Sequence, residues 1–172
     1  MSQLIEFYRS TGNDARGRKL ERIWAYSDSE MEYHHDFIQW LFPLQEPSQY
    51  NPDAPVLSDE DIRIFRTDAA LRQNLAHSFE RFLSFLGLAR QEKGIGPGPG
   101  FEQRRGVFAS PNHNWLRITR VLTCLRLLGL EADGHAFFAC LKDLVKNGQA
   151  KVAKDTMAYW QNATFPDRPM QG

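Results

Sequence analysis

The chain has 172 residues, 42% of them hydrophobic, and its 21 Lys and Arg balance 21 Asp and Glu to a formal net charge of zero. That length suffices for one domain that buries its own core without disulfides or a metal. Zero net charge excludes a protein whose main task is non-specific nucleic-acid binding, and no run approaches the roughly 18 apolar residues of a membrane-spanning helix.

Gln3 to Arg9 reads as a short helix with Leu4, Ile5 and Tyr8 on one side, and Ser10 to Arg18 as a polar loop broken by Gly12 and Gly17. Leu20, Ile23 and Trp24 mark a second short helix. Ser29 to Leu44 (SEMEYHHDFIQWLFPL) then reads as one helix. Ser29 with Glu32 has the capping-box pattern, Tyr33, Phe37, Trp40 and Leu41 recur at helical spacing, and Pro43 ends the element. Pro43, Pro47, Pro52 and Pro55 punctuate an extended segment, laid on the fold through Tyr50 and Val56.

Ser58 caps a brief helix with Asp59, Glu60 and Asp61 in its first turn. Thr67 and Asp68 open a longer one, striped by Leu71, Leu75, Phe79, Phe82, Leu83 and Leu86 and closed by Gly87. Gly94 to Gly100 (GIGPGPG) is expected as a flexible loop; no Lys-Ser/Thr follows it, and its prolines remove amides that a phosphate would need. Phe101 to Ala109 reads as either a short strand or irregular chain. Ser110-Pro111 is read as the start of a helix that runs to Leu128 and Gly129. Ala136, Phe137, Cys140, Leu141 and Leu144 define the next, closed by Asn147-Gly148, and Val152, Thr156, Tyr159 and Trp160 the last. The expected class is all-α: a single compact irregular helical domain over residues 1–172, of seven or eight helices with long Pro/Gly-rich loops and a flexible tail over 161–172.

Cys124 and Cys140 fall at apolar helical positions, where buried thiols are expected rather than a disulfide. The start, MSQLIEFYRSTG, lacks the apolar core of a secretory signal, so the default location is cytoplasmic. No cofactor is implied. His34 and His35 are adjacent rather than four apart, and the Glu32-x-x-His35 pair has no second copy, so no metal is expected. No Gly-x-Ser-x-Gly elbow is present.

Two features bear on binding. From Asp28 to Asp61 there are nine acidic residues and no Lys or Arg, whereas Leu88 to Arg126 holds seven basic residues and two acidic ones. The stretches either neutralise one another or leave a basic cleft for an anion. On the helix from Pro111, Trp115, Ile118, Val121, Leu122, Leu125 and Leu128 form one apolar arc, and Leu116 and Leu127 a smaller one. Between them falls a strip of His113, Arg117, Arg120 and Cys124. Arginines flanked by apolar surface are desolvated and require partners. Those are either internal carboxylates, with Asp36 and Glu32 as candidates, or an anionic ligand held bidentately near the helix start.

His35-Asp-Phe-Ile-Gln-Trp-Leu-Phe-Pro-Leu44 followed by Glu46-Pro47 resembles the first signature of the opioid growth factor receptor conserved-domain family, HxYIQWLFPLxEP. Asn112-His-Asn-Trp-Leu-Arg-Ile-Thr-Arg-Val-Leu122 resembles its second, HNxLRITRIL. The resemblance spans roughly Leu4 to Trp160, and the short chain with NPDAP at Asn51 to Pro55 is more similar to the bacterial branch of the family. The resemblance implies kinship with nuclear-associated receptors for an enkephalin peptide, and no individual binding residue. The two signature helices are expected to pack face to face. The ligand-binding candidates are His35, Gln39, Trp40, Asn112, His113, Asn114, Arg117 and Arg120, with no catalytic residue assigned. The expected function is a helical binding module for a peptide or small anionic ligand, with nucleic acid not the expected partner. The alternative is an enzyme whose dispersed polar residues meet in a cleft between the signature helices.

Overall fold

The computed structural model describes residues 1–167. Among them are ten α-helices: α1 (Gln3–Tyr8), α2 (Leu20–Trp24), α3 (Asp28–Tyr33), α4 (Ile38–Leu41), α5 (Asp59–Thr67), α6 (Ala69–Phe85), α7 (Phe101–Arg104), α8 (His113–Leu127), α9 (Glu131–Lys146) and α10 (Lys154–Thr164). A 3-10 turn covers Arg105–Phe108, and two short strands, β1 (Leu88–Arg90) and β2 (Ile95–Pro97), form the one sheet among the described residues. The class is mostly helical, as the periodicity predicts. The chain divides into two compact units, Met1–Arg81 and Phe82–Gly172, with the division inside α6.

In the first unit Ser2 caps α1, and the buried Asp61 accepts a hydrogen bond from the Ser2 hydroxyl at 2.7 Å. The predicted single helix Ser29–Leu44 is two helices. The capping box belongs to Ser27 and Glu30, two residues earlier than the spacing suggested. The chain turns extended at His34 before α4 begins. The interruption has a visible cause. The Asp36 carbonyl, which a continuous helix would commit to the Trp40 amide, instead accepts from Arg18 Nη2 (3.3 Å) and Asn51 Nδ2 (3.4 Å), while Trp40 N donates to Phe37 O. Tyr33 therefore lies outside the apolar stripe, 79% exposed, whereas Phe37, Ile38, Trp40, Leu41 and Phe42 are buried as the spacing predicts.

Three buried or half-buried polar groups lock the end of α4. The Trp24 indole N–H donates to Ser78 Oγ at 2.9 Å, and Ser78 Oγ lies 3.0 Å from the Tyr8 hydroxyl, which also contacts the Leu41 carbonyl. A carbonyl only accepts, so Tyr8 donates to Leu41 and the Ser78 hydroxyl donates to Tyr8. The relay satisfies a helix-terminal carbonyl that would otherwise be orphaned.

The proline-rich segment is extended, as predicted. A single parallel bridge joins Leu44 to Val56, and Leu57 N donates to Leu44 O at 2.8 Å. Its anchor is the buried Leu57; Tyr50, expected to lie against the fold, is 84% exposed, and Val56 is exposed too. Ser58 and Asp61 form the capping box of α5, and Asp68 Oδ1 accepts from Ala70 N at the start of α6.

In the second unit GIGPGPG is not a flexible loop. Residues 95–97 pair antiparallel with β1 in the register Leu88↔Pro97, Ala89↔Gly96 and Arg90↔Ile95. The glycines allow close approach: a Cβ on Gly98 would sit 3.0 Å from Ala89 Cβ, and one on Gly96 would run into the Gln91 amide. Phe101 to Phe108, where the sequence reads as a short strand or irregular chain, is α7 and the 3-10 turn. α8 starts at Asn112 rather than Ser110, because Asn112 Oδ1 accepts from Asn114 N while its amide donates to the carbonyls of Val107 and Ser110.

α8 packs on α9 and α10, and α10 packs on α9. Trp115 donates to Val107 O at 2.8 Å, and Trp160 donates to Trp115 O at 3.1 Å with the two rings edge to face. Tyr159, expected in the last apolar stripe, is exposed. Cys124 and Cys140 are buried free thiols; burial raises both, with Asp143 adding to the rise that takes Cys140 to about 12. Of the expected tail over 161–172, residues up to Thr164 continue α10, and 168–172 lie outside the described residues.

Tyr8→Phe keeps the ring and breaks the relay, leaving the Leu41 carbonyl and the Ser78 hydroxyl without their shared partner. The expected loss is about 1–3 kcal/mol in urea unfolding, with Ser78→Ala costing no more than Tyr8→Phe.

Candidate functional site

The first signature sits where α3 gives way to α4, and its polar residues answer to Arg18. The Arg18 guanidinium, mostly buried, donates from Nε to Asp14 Oδ2 at 2.7 Å and from Nη1 to Asp36 Oδ1 and the Tyr26 hydroxyl, both at 3.0 Å. Asp14 is itself fixed by the backbone amides of Arg16 and Arg18 at 2.9 and 2.8 Å. Arg16 Nε closes on the other Asp36 oxygen at 2.9 Å. Burial works against the Arg18 charge, but the hydrogen bonds from Asp14, Asp36 and Tyr26 outweigh it and hold its pKa above the ordinary value. Burial likewise pushes the Asp36 carboxyl upward, and Arg18 and Arg16 together bring it below its ordinary 3.8. Asp36, one of the carboxylates expected to answer the arginines of the second signature, thus carries two arginines from its own unit.

Gln39 is buried and bridges locally: Nε2 donates to His35 O at 3.3 Å, and Oε1 accepts from Asn51 Nδ2 at 3.4 Å. Trp40 is a core residue, its ring tilted against Phe7 with centroids 5.3 Å apart. His35 is exposed, and the neighbouring His34 ring lies 5.3 Å from Tyr26 and 5.2 Å from Tyr33. Thus Gln39 is joined to the His35 backbone, while Trp40 belongs to the core.

The second signature forms the start of α8. Asn112 caps it, and Asn114, only 1% exposed, accepts from Arg117 Nη1 at 3.4 Å. Arg117 is 5% exposed, with its guanidinium carbon 5.9 Å from the centre of the Phe85 ring. Arg104 also lies over Phe85, at 4.5 Å, and donates from Nε to the Phe85 carbonyl at 2.7 Å. The expected desolvation of Arg117 is therefore present. Its surroundings differ from the expectation: the smaller apolar arc is not a second buried wall, because Leu116 is 67% exposed and Leu127 half-buried. His113 is exposed and Arg120 half-buried, on the same side of α8 as Leu116.

Asn112, Asn114 and Arg117 are thus joined in one chain of contacts, with His113 and Arg120 flanking it toward solvent. A guanidinium does not titrate near neutral pH, so this cluster offers directed hydrogen bonds and permanent charge rather than proton transfer. Sequence reading missed Arg18, Asp14, Asn51, Phe85 and Arg104. The Asp14-Ala-Arg-Gly-Arg18 run was a visible signal for the first three-way pairing, a dense charged loop beside an acidic stretch. Nothing local marked Phe85 as the ring beneath two arginines. Among the described residues no group of three His, Cys, Asp or Glu is placed to hold a metal ion, and no helix is long and apolar enough to cross a membrane.

Asp36 binds its proton more weakly in the folded chain than in the unfolded one. Its stabilisation is therefore complete above about pH 4 and drains away as pH falls through the lowered folded value. Asp36→Asn should lower the melting temperature at neutral pH and flatten its decline below about pH 4; parallel melting curves for the two proteins would contradict the assignment.

The sequence model of the family described as "Opioid growth factor receptor (OGFr) conserved region" matches residues 5–169. The chain is 36% identical to the opioid growth factor receptor of Rattus norvegicus over 134 residues, which are 74% of this chain and 23% of that protein. Against the Homo sapiens opioid growth factor receptor the identity is 33% over 137 residues, 74% of this chain and 20% of that one. Against the opioid growth factor receptor-like protein 1 of Mus musculus it is 30% over 142 residues, 80% and 30%. The chain thus spans less than a third of the length of these relatives. No solved structure matches. The family match takes in both signatures, the turn fastened by Arg18 and the capped start of α8, and the chain belongs to the family of the opioid growth factor receptor conserved region.

Proposed function

We propose that the chain is a helical binding module that recognises an anionic group, a peptide carboxylate or a small acid, at the start of α8. The observation that carries this reading is the Asn114–Arg117 pair, a permanent charge 5% exposed, oriented by an amide oxygen and backed by an aromatic ring. Enclosing a cation in this way costs several kcal/mol of hydration, and packing alone does not require it, since Met fills a similar volume. Arg117 sets a positive field under the surface, and Arg120 and His113 meet the ligand from either side. Asn112 and Asn114 act by fixing the helix start and the Arg117 rotamer. His35, Gln39 and Trp40 belong to the first unit, where Gln39 and Trp40 hold the turn and His35 is exposed. Support comes also from the relatives, which bear the name of receptors.

Titration of the protein with succinate, followed by intrinsic Trp fluorescence, tests the reading. Saturable binding is expected, weakened about tenfold or more in Arg117→Met and Arg120→Gln. If no succinate binds and Arg117→Met costs several kcal/mol of stability, Arg117 is a structural lock and the reading falls. Arg120→Gln, at a half-buried position, keeps the test usable should the Arg117 variant not fold.

A further inference from the structure

The pair Asn147-Gly148 that closes α9 is the one Asn-Gly step in the sequence; the other asparagines precede Asp14, Pro52, Leu75, His113, Trp115 and Ala163. The helix ends there in a Schellman arrangement. Gln149 N donates to Leu144 O at 2.8 Å and Gly148 N to Val145 O at 3.2 Å, with Gly148 at φ 75°. Both residues of the step are exposed, and a Cβ built on Gly148 would meet nothing within 4 Å among the described residues. The Gly148 nitrogen therefore has no side chain of its own to shield it, and the bond that holds it is at the long end of the hydrogen-bond range. That bond also belongs to a helix end facing water, where local opening costs least. The other asparagines are held or blocked. Pro52 has no N–H to offer, Asn74 Nδ2 donates to Tyr8 O at 2.7 Å, and Asn112 and Asn114 are tied into the start of α8. Asn13 and Asn162 precede residues whose Cβ crowds the amide.

We propose that Asn147 is a site of spontaneous covalent modification in the folded chain, its carboxamide giving way to aspartate and isoaspartate. The Gly148 nitrogen, its proton lost to solvent base, attacks Asn147 Cγ. The new C–N bond closes a succinimide ring, and the Cγ–Nδ2 bond breaks to release ammonia. Water then opens the ring at either carbonyl, leaving a normal aspartyl link or an isoaspartyl link in which the main chain runs through Cβ and Cγ. The inference is independent of the anion-binding reading. Either product places a carboxylate at the C-terminus of α9, where the helix dipole disfavours negative charge, and one helical turn beyond Asp143. Isoaspartate also lengthens the main chain by one methylene, between the Leu144 carbonyl and its donors Gln149 and Ala150, the latter at 3.0 Å. Just beyond, Lys151 N donates to Phe108 O at 2.8 Å. Phe108 lies in the 3-10 turn whose Val107 carbonyl accepts from Asn112 and Trp115, so the disturbance is passed to the turn that precedes α8.

The test incubates the intact chain at mildly alkaline pH, folded and in concentrated urea. Asn147 is followed by peptide mass spectrometry, and isoaspartate is counted by enzymatic methylation of its carboxylate. In the folded chain Asn147 is expected to convert at least about tenfold ahead of every other asparagine, and within about a hundredfold of its own rate in urea. Conversion should slow as the medium is acidified, because the attacking nitrogen must lose its proton. Asn147→Gln, a change at an exposed position, should remove the methylation signal and leave the fold intact. The isoaspartyl protein should melt below Asn147→Asp, which adds the charge and keeps the main chain. Another asparagine converting first, methylation that survives Asn147→Gln, or a folded-chain rate more than about a hundredfold below the rate in urea overturns the inference.

Discussion

One buried cation governs the first unit. Arg18 reaches from the loop after α1 to Tyr26 ahead of α3 and to Asp36 between α3 and α4, and its partner Asp14 is itself pinned by two backbone amides. A guanidinium has five donors in a rigid plane, so satisfying it inside a protein demands acceptors from several directions at once. Here that demand is met by two carboxylates, a phenol and the Asp36 carbonyl, which is out of the helical ladder, the Trp40 amide donating to Phe37 instead. The break in the first signature, which opens at the extended His34, is fastened on its far side by Arg18 and Asn51 at the Asp36 carbonyl.

The break decides what the signature shows to solvent. Phe37, Ile38, Trp40, Leu41 and Phe42 remain inside, closed from behind by the relay from Trp24 through Ser78 and Tyr8 to the Leu41 carbonyl. His35 and Tyr33 are turned out. The long apolar string is therefore core, and what the signature exposes is the polar and aromatic residues around the interruption.

The second signature divides its residues differently. Trp115, Ile118, Val121 and Leu122 are buried in the second unit, with α8 packed on α9 and α10. Asn112 and Asn114 organise the helix start through their amides. Arg117 is enclosed beside Asn114, while His113 and Leu116 face out. A single 11-residue string thus contains core, cap, buried charge and solvent face, which follows from helical geometry: each successive side chain turns about 100° from the last.

Helix existence was legible from the chain wherever an apolar stripe ran for several turns, as in α6, α8 and α9, because burial of one face and the 3.6 period act locally. The α6 end at Gly87 and the α9 end at Asn147-Gly148 were legible for the same local reason, glycine taking the positive φ found there. The two signatures, and with them the family, were legible because a string such as IQWLFPL is specific without any knowledge of its contacts. What only the tertiary structure decided was where a remote side chain takes a backbone group away from its helix, or where a glycine admits a neighbouring strand. Arg18 and Asn51 on the Asp36 carbonyl split the expected helix, Val107 and Ser110 accepting from Asn112 moved the start of α8, and Ala89 against Gly98 made a hairpin of an expected loop. Such contacts join residues whose spacing along the chain carries no period, so no reading of local pattern contains them; they exist only once the chain has folded back on itself.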